Sequence, residues 1–352
     1  MRMRNGYWPL LAVGVLAASC GASSQAKAPA TTTTSAKSDL TTTTTQVANT
    51  DLSPLTGLPY SNPSDATRPA IAAKIDNAPQ AWPQSGLLHA DVIYEEMVEG
   101  GLTRYMAVFQ SHNAAVLGPI RSVRASDADI AAPLHGFFAY SGGIPKFVSD
   151  IRASGVKDIG VYVLGNAYYR LSSRPAPHNL YTSTTTLYKD AAAAGITAGP
   201  PPKLFDFRKQ GTGFTASGAS SLSSVTVDIS GSAVDKWTWD PSRGYWTKTI
   251  NGVPQHNNTG IPENAQNVIV EFVRYTNTGF VDPAGNPVPQ AHSVGSGNAI
   301  FLSGGKEASG TWSKASESSV TKFRDASGQK VYLAPGRTWV EFAPIGTPVT
   351  PS

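Results

Sequence analysis

The only cysteine of this 352-residue chain, Cys20, closes the segment Leu16-Ala17-Ala18-Ser19-Cys20 at the end of an apolar run. Arg2 and Arg4 precede a stretch from Tyr7 to Leu16 that is too short to span a bilayer, and Ala18-Ser19 provide the small residues a signal peptidase requires. The pattern reads as a lipoprotein signal over residues 1–19, although Ala17 stands where such motifs more often carry Leu or Val. The mature chain then begins at Cys20, whose thiol is the expected lipidation site, and the lipid bilayer becomes its first partner. Everything downstream is expected to be extracytoplasmic and lipid-anchored to the cell membrane. Because no second thiol exists, disulfides, thiolate metal sites and cysteine nucleophiles are excluded.

Residues 20–51 are almost entirely Ala, Thr, Ser and Lys, including Thr31 to Thr34 and Thr41 to Thr45. Such a segment buries too little apolar surface to offset its chain entropy, so it is expected to be a disordered tether. Formal net charge is +4, falling to +2 once Arg2 and Arg4 leave with the signal, and only 15% of residues are charged. That balance offers no polyanion-binding surface, so nucleic acid is not an expected partner. No cofactor is implied either. The six histidines lack ligand spacing, Asp127-Ala128-Asp129 is too short to indicate a metal, and no Gly-x-Ser-x-Gly elbow or P-loop is present.

The remainder divides by texture into an α+β arrangement. Residues 52–200 alternate apolar runs with helix-like segments, which predicts an N-terminal α/β domain; residues 201–224 form a Pro/Gly-rich junction. Residues 225–345 carry strands with turn punctuation, which predicts a smaller antiparallel β-rich domain, and 346–352 are a tail. Trp237, Trp246, Trp312 and Trp339 are expected in its core. Ala70 to Ile75, Gly136 to Tyr140 and Val156 to Leu164 read as strands, Ala125 to Leu134 and Ser183 to Ala194 as helices.

Asp91 to Glu99 and Leu102 to Gln110 flank Gly100-Gly101, a two-residue hairpin signal. With Glu99 opposite Leu102, the strand period of two puts Glu95, Glu99 and Arg104 on one face, where either Glu could act as an acid or base or simply pair with Arg104. Arg121 and Arg124, three apart before an expected helix, suit a phosphate or carboxylate, and sequence shows no partner beside them. The loop Ser141-Gly142-Gly143 offers backbone N–H groups to an anion. Arg174, His178 and Asn179 lie in a stiff polar loop, with His178 a candidate acid or base.

Several motifs resemble the YerB-like lipoproteins. They are Pro54-Leu55-Thr56-Gly57, Lys74-Ile75-Asp76-Asn77, Pro83-Gln84-Ser85-Gly86, Val98-Glu99-Gly100-Gly101-Leu102-Thr103-Arg104, Gly118-Pro119-Ile120-Arg121-Ser122-Val123-Arg124 and Pro177-His178-Asn179-Leu180-Tyr181. Gly310-Thr311-Trp312 and Pro335-Gly336-Arg337-Thr338-Trp339 extend the likeness toward the C-terminus. The resemblance implies a two-part extracytoplasmic lipoprotein of unknown function and assigns no chemistry.

Three functional readings follow from the residues. One is a protein that binds an anionic cell-envelope ligand through Arg104, Arg121, Arg124, Arg174, Asn179 and the Ser141-Gly142-Gly143 loop. The second is a hydrolase or transferase acting on such a ligand through Glu95, Glu99 or His178. The third is a scaffold for wall-associated proteins.

Overall fold

The computed structural model describes residues 52–352, so Cys20 and the expected signal and tether lie outside the described residues. In chain order the main strands are β1 (Ile71–Asp76), β2 (Val92–Met97), β3 (Thr103–Phe109), β4 (Phe137–Ala139), β5 (Lys157–Asp158), β6 (Ser224–Ser230) and β7 (Ala233–Asp240). They continue as β8 (Tyr245–Ile250), β9 (Asn267–Val281), β10 (Gly295–Ser303), β11 (Lys306–Lys314), β12 (Lys322–Asp325), β13 (Thr338–Pro344) and β14 (Val349–Pro351). The α-helices among the described residues are α1 (Asp127–Ala131), α2 (Pro145–Ala153) and α3 (Thr184–Ala193).

One large mixed sheet runs β12-β11-β10-β9-β13-β2-β3-β1-β4-β5. Strand β13 of the C-terminal segment inserts between β9 and β2 and is parallel to both. The β-rich segment therefore does not close as an antiparallel unit of its own; its antiparallel character is confined to β9–β12 and to a second sheet built from β8, β7, β6 and β14. The two sequence segments share a sheet in which β2 and β13 are each covered on both faces, as strands at a sheet centre are, with Glu95, Glu96 and Glu341 buried among their apolar residues. Residues 346–352, expected as a tail, supply β14, which pairs with β6.

Alternation along these central strands separates two cores. Ile71, Ala73, Ile93, Tyr105, Ala107 and Trp339 face the second sheet, where Trp237 and Trp246 are fully buried. Ala72, Val92, Met106, Val108, Val340 and Phe342 face α1, α2 and the loop carrying Leu204 and Phe205. All four tryptophans expected in the core are there, at 0–2% exposure.

The β2–β3 connection corrects the sequence expectation. Glu99, Gly100 and Gly101 form a 3-10 turn, with Gly100 and Gly101 at φ +68° and +72°, so the register pairs Glu96 with Arg104 and Glu95 with Tyr105. The expected pairing was one residue out. A one-residue slip moves a side chain to the opposite face, so Glu95 and Arg104 do not share one.

Two other elements are shorter than expected. The helix begins at Asp127, because Arg121 to Arg124 runs extended beside β1 and the loop after β4: Arg121 N donates to Lys74 O and Val123 N to Gly142 O, both at 2.9 Å. Of Val156 to Leu164 only Lys157–Asp158 is strand, since the chain turns at Gly160, where Val163 N and Leu164 N both donate to Gly160 O. Helix α3 starts where Ser183 Oγ accepts from Thr186 N at 3.0 Å.

Candidate functional site: an arginine-lined cavity

At one end of β1, β2 and β3 lies a cavity of about 190 Å³, lined by Asp76, Glu99, Arg104, Arg121 and Arg124 together with Asp282 and Pro283 from the C-terminal segment. Both sequence segments thus build its wall. Arg124 forks onto Glu99, with Nε 2.7 Å from Oε1 and Nη2 2.8 Å from Oε2. Arg121 Nε lies 3.2 Å from Asp76 Oδ2. The same Asp76 oxygen takes His178 Nδ1 at 2.7 Å, while Asp76 Oδ1 accepts from Ala78 N at 3.1 Å.

Arg104 differs from its neighbours. It is only 7% exposed, donates one hydrogen bond to Ser122 O at 3.0 Å, and forms no ion pair among the described residues. Its two cross-strand neighbours are acidic, Asp76 on β1 and Glu96 on β2, yet both are committed elsewhere. Glu96 and Asp127 hold the fully buried Lys74, with Asp127 Oδ1 at 2.7 Å. Burial, and then repulsion from Arg124 and Arg121, push the Arg104 guanidinium down to about 9. Three guanidiniums meet two buried carboxylates here, with the partly exposed Asp282 as a third acid in the lining, and Arg104 is the guanidinium that pairs with none of them.

The arrangement reverses the pairing expected from sequence. Arg121 and Arg124 have built-in carboxylate partners, and Arg104 has none. Glu95 is on the far face, where Thr103 Oγ1 donates to it at 2.7 Å, so it takes no part in the cavity. Glu99 lines the cavity but is bound by Arg124. His178 reaches the group only through Asp76.

The rest of the expected set does not line the cavity. Arg174 donates to Ala81 O and Pro83 O, both at 2.7 Å, and braces a loop. Asn179 accepts from Arg170 at 2.7 Å. Ser141 N donates to Arg121 O, and a Cβ on Gly142 or Gly143 would meet Tyr162 at 3.0 Å or Val123 at 2.4 Å. The Ser141-Gly142-Gly143 loop therefore allows close packing behind Arg121 and does not face the cavity.

Residues 55–197 match the description "Protein of unknown function (DUF3048) N-terminal domain" and residues 225–340 match its C-terminal domain. The chain belongs to the DUF3048 family. A Bacillus subtilis (strain 168) protein described as "Putative lipoprotein YerB" is 28% identical over 299 residues, covering 83% of this chain and 86% of that one. The crystal structure of YerB from Bacillus subtilis superposes with a TM-score of 0.73 at 23% identity, over 85% of this chain and 99% of that one, which shows a shared fold. No helix among the described residues is long and apolar enough to cross a membrane.

In this DUF3048 chain, two further polar groups are buried away from the arginine cavity. Between the sheets, Lys248 Nζ contacts Asp235, lies 2.8 Å from Glu95 Oε2 and 3.1 Å from Glu341 Oε1, and sits 4.9 Å from the rings of Trp237 and Trp339. The three carboxylates are close enough to hold a cation, and the Lys248 ammonium occupies their centre. Burial would lower the Lys248 ammonium, but Asp235, Glu95 and Glu341 outweigh it and raise it. Elsewhere, a narrow cavity of about 20 Å³ ends at Glu271, Ser293 and Lys314, and opens beside a depression of about 360 Å³ lined by Phe205, Val320 and Phe323. Burial pushes the Glu271 carboxyl up to about 8 and Lys314 down to about 8. Sequence reading gave no role to Asp76, Glu96, Lys248 or Glu271, although Asp76 stands in one of the motifs quoted above; the signal of each was a charge within a strand.

Proposed function

We propose that this chain is a lipid-anchored extracytoplasmic protein that binds an anionic cell-envelope ligand, a phosphorylated or carboxylated glycan or lipid-linked precursor, in the cavity of Arg104, Arg121 and Arg124. One observation carries the reading: a buried guanidinium without a carboxylate faces a cavity whose other two arginines are oriented by fixed acids. Removing a charge from water without a partner is costly, and an entering anion relieves that cost while accepting several charge-assisted hydrogen bonds. Asp76 and Glu99 hold Arg121 and Arg124 in place before the ligand arrives, so less side-chain entropy is lost on binding. A cavity of about 190 Å³ suits the anionic group alone; the glycan or lipid portion then lies outside it. The anchoring half of the proposal rests on Cys20 and on the lipoprotein description of the Bacillus subtilis relative.

The Asp76–His178 contact favours a second reading, a hydrolase or transferase. A carboxylate on Nδ1 fixes the imidazole and leaves Nε2 for proton transfer. His178 does not line the cavity, so binding ranks first. The test is fractionation of cells expressing wild type or Cys20→Ser, followed by thermal denaturation with inorganic phosphate, pyrophosphate or citrate. Membrane release of the variant and anion-dependent stabilisation of both proteins are expected. Retention of the variant in the membrane, or indifference to all three anions, contradicts the corresponding half.

A further inference from the structure

The group between the sheets does more than neutralise charge. Lys248 on β8 and Asp235 on β7 are diagonal neighbours: the ladder pairs Lys248 with Trp237, two residues from Asp235, a spacing that long side chains span. Lys248, Asp235, Glu95 and Glu341 are all 0–1% exposed, so no water competes for these atoms. One ammonium against three carboxylates has a formal charge of −2, which a dry site cannot sustain; protons must be retained on the acids. Asp235 Oδ1 and Glu341 Oε2 are buried without a hydrogen-bond partner, and oxygens of the Asp235, Glu341 and Glu95 carboxylates lie within 4.8 Å of one another, a crowding that favours a retained proton. Burial raises both acids, in the same direction. The indole N–H groups of Trp237 and Trp339 hold Glu341 Oε1 and Glu95 Oε2 at 2.7 and 3.0 Å, fixing both glutamates around the lysine.

We infer that Lys248 and Asp235 condense to an intramolecular isopeptide bond, with Glu341 carrying the protons. Proton transfer from Nζ to the carboxyl it touches turns a contact ion pair into a neutral amine and a neutral acid with no change in total charge. The Nζ lone pair then forms a bond to Asp235 Cγ. Glu341 takes the second Nζ proton and delivers its own to the departing hydroxyl, the Cγ–O bond breaks, and one water leaves. The reaction needs no cofactor and no oxidant. The product amide replaces a buried amine and one buried acid, leaving two glutamates beside an amide N–H and C=O. It also ties β7 to β8 covalently in a chain that has no thiol pair to do so.

The experiment is tryptic mapping of the purified full-length chain after denaturation. Cleavage at Lys209, Lys236, Arg243 and Arg274 is expected to release Gln210–Lys236 joined to Gly244–Arg274, lighter than their sum by one water, because a modified Lys248 resists trypsin. The Asp235→Asn chain is expected to give the same joined mass, with ammonia leaving in place of water. Glu341→Gln, which keeps an acceptor for Trp237, is expected to reduce the joined fraction severalfold. Full recovery of the separate peptides, with normal cleavage after Lys248 in the wild type, overturns the inference and leaves an ordinary buried ion cluster. An unchanged joined fraction in Glu341→Gln overturns the proton-carrying role.

Discussion

Arg104 stands directly opposite Glu96 on the β2–β3 ladder, and the two do not pair, because Glu96 is held by Lys74. This leaves a buried guanidinium with one backbone acceptor at the edge of a cavity. Replacing even paired buried charges by well-packed apolar groups is often neutral or stabilising by roughly 1–4 kcal/mol, and an unpaired one costs the folded state more. Arg104→Met is therefore expected to raise the unfolding free energy in anion-free buffer by about that amount and to abolish stabilisation by anions. Urea unfolding with and without pyrophosphate checks both. A destabilised variant would show that Arg104 is an internal strut.

Arg124→Gln is expected to act in the opposite sense. It leaves Glu99, 7% exposed, without its fork, and breaking such a pair costs about 3–5 kcal/mol. Arg121→Gln is expected to cost less, since His178 still bonds Asp76. Denaturation midpoints of the two variants, measured side by side, test this order.

How far sequence alone reached is clearest at these residues. The positions of β1, β4 and α3 and the buried tryptophans follow from apolar patterning and turn signals, which are local, whereas the meeting of Arg104, Arg121 and Arg124 in one cavity does not. Pairing was not legible. A hairpin register depends on whether Glu99 joins the turn, and the answer, a 3-10 turn docked through Gly101 O on Ser230, involves a strand far along the chain. Likewise, the insertion of β13 beside β2 is a contact between segments about 240 residues apart, which no local pattern encodes. The polar loop likewise gives no local sign that Arg174 donates to Ala81 O and Pro83 O or that Asn179 accepts from Arg170.

Stability is expected to fall as pH rises from about 4.5 to 8 through Glu271. Its carboxyl, pushed up to about 8 by burial and eased only by Lys314, keeps its proton in the folded chain while the unfolded chain has lost it. Each pH unit in that window removes up to about 1.4 kcal/mol. Asp127 and Glu263, each raised to about 7, add slopes of the same sign at lower pH, and Lys314, lowered to about 8, contributes the opposite slope above pH 8. Glu271→Gln is expected to flatten the wild-type decline between pH 5 and 8. Parallel profiles for the two proteins would show that Glu271 ionises freely.

The central claim is that the arginine cavity is an anion site. Isothermal titration of the full chain with inorganic pyrophosphate, against wild type and Arg104→Met under one buffer and salt, tests it most directly. The account predicts saturable one-site binding to the wild type and a loss of about 2–5 kcal/mol in the variant, the scale for removing a desolvated charge partner, which is an affinity at least about thirtyfold weaker. Equal affinity in the two proteins, or no heat above dilution with either, would contradict it.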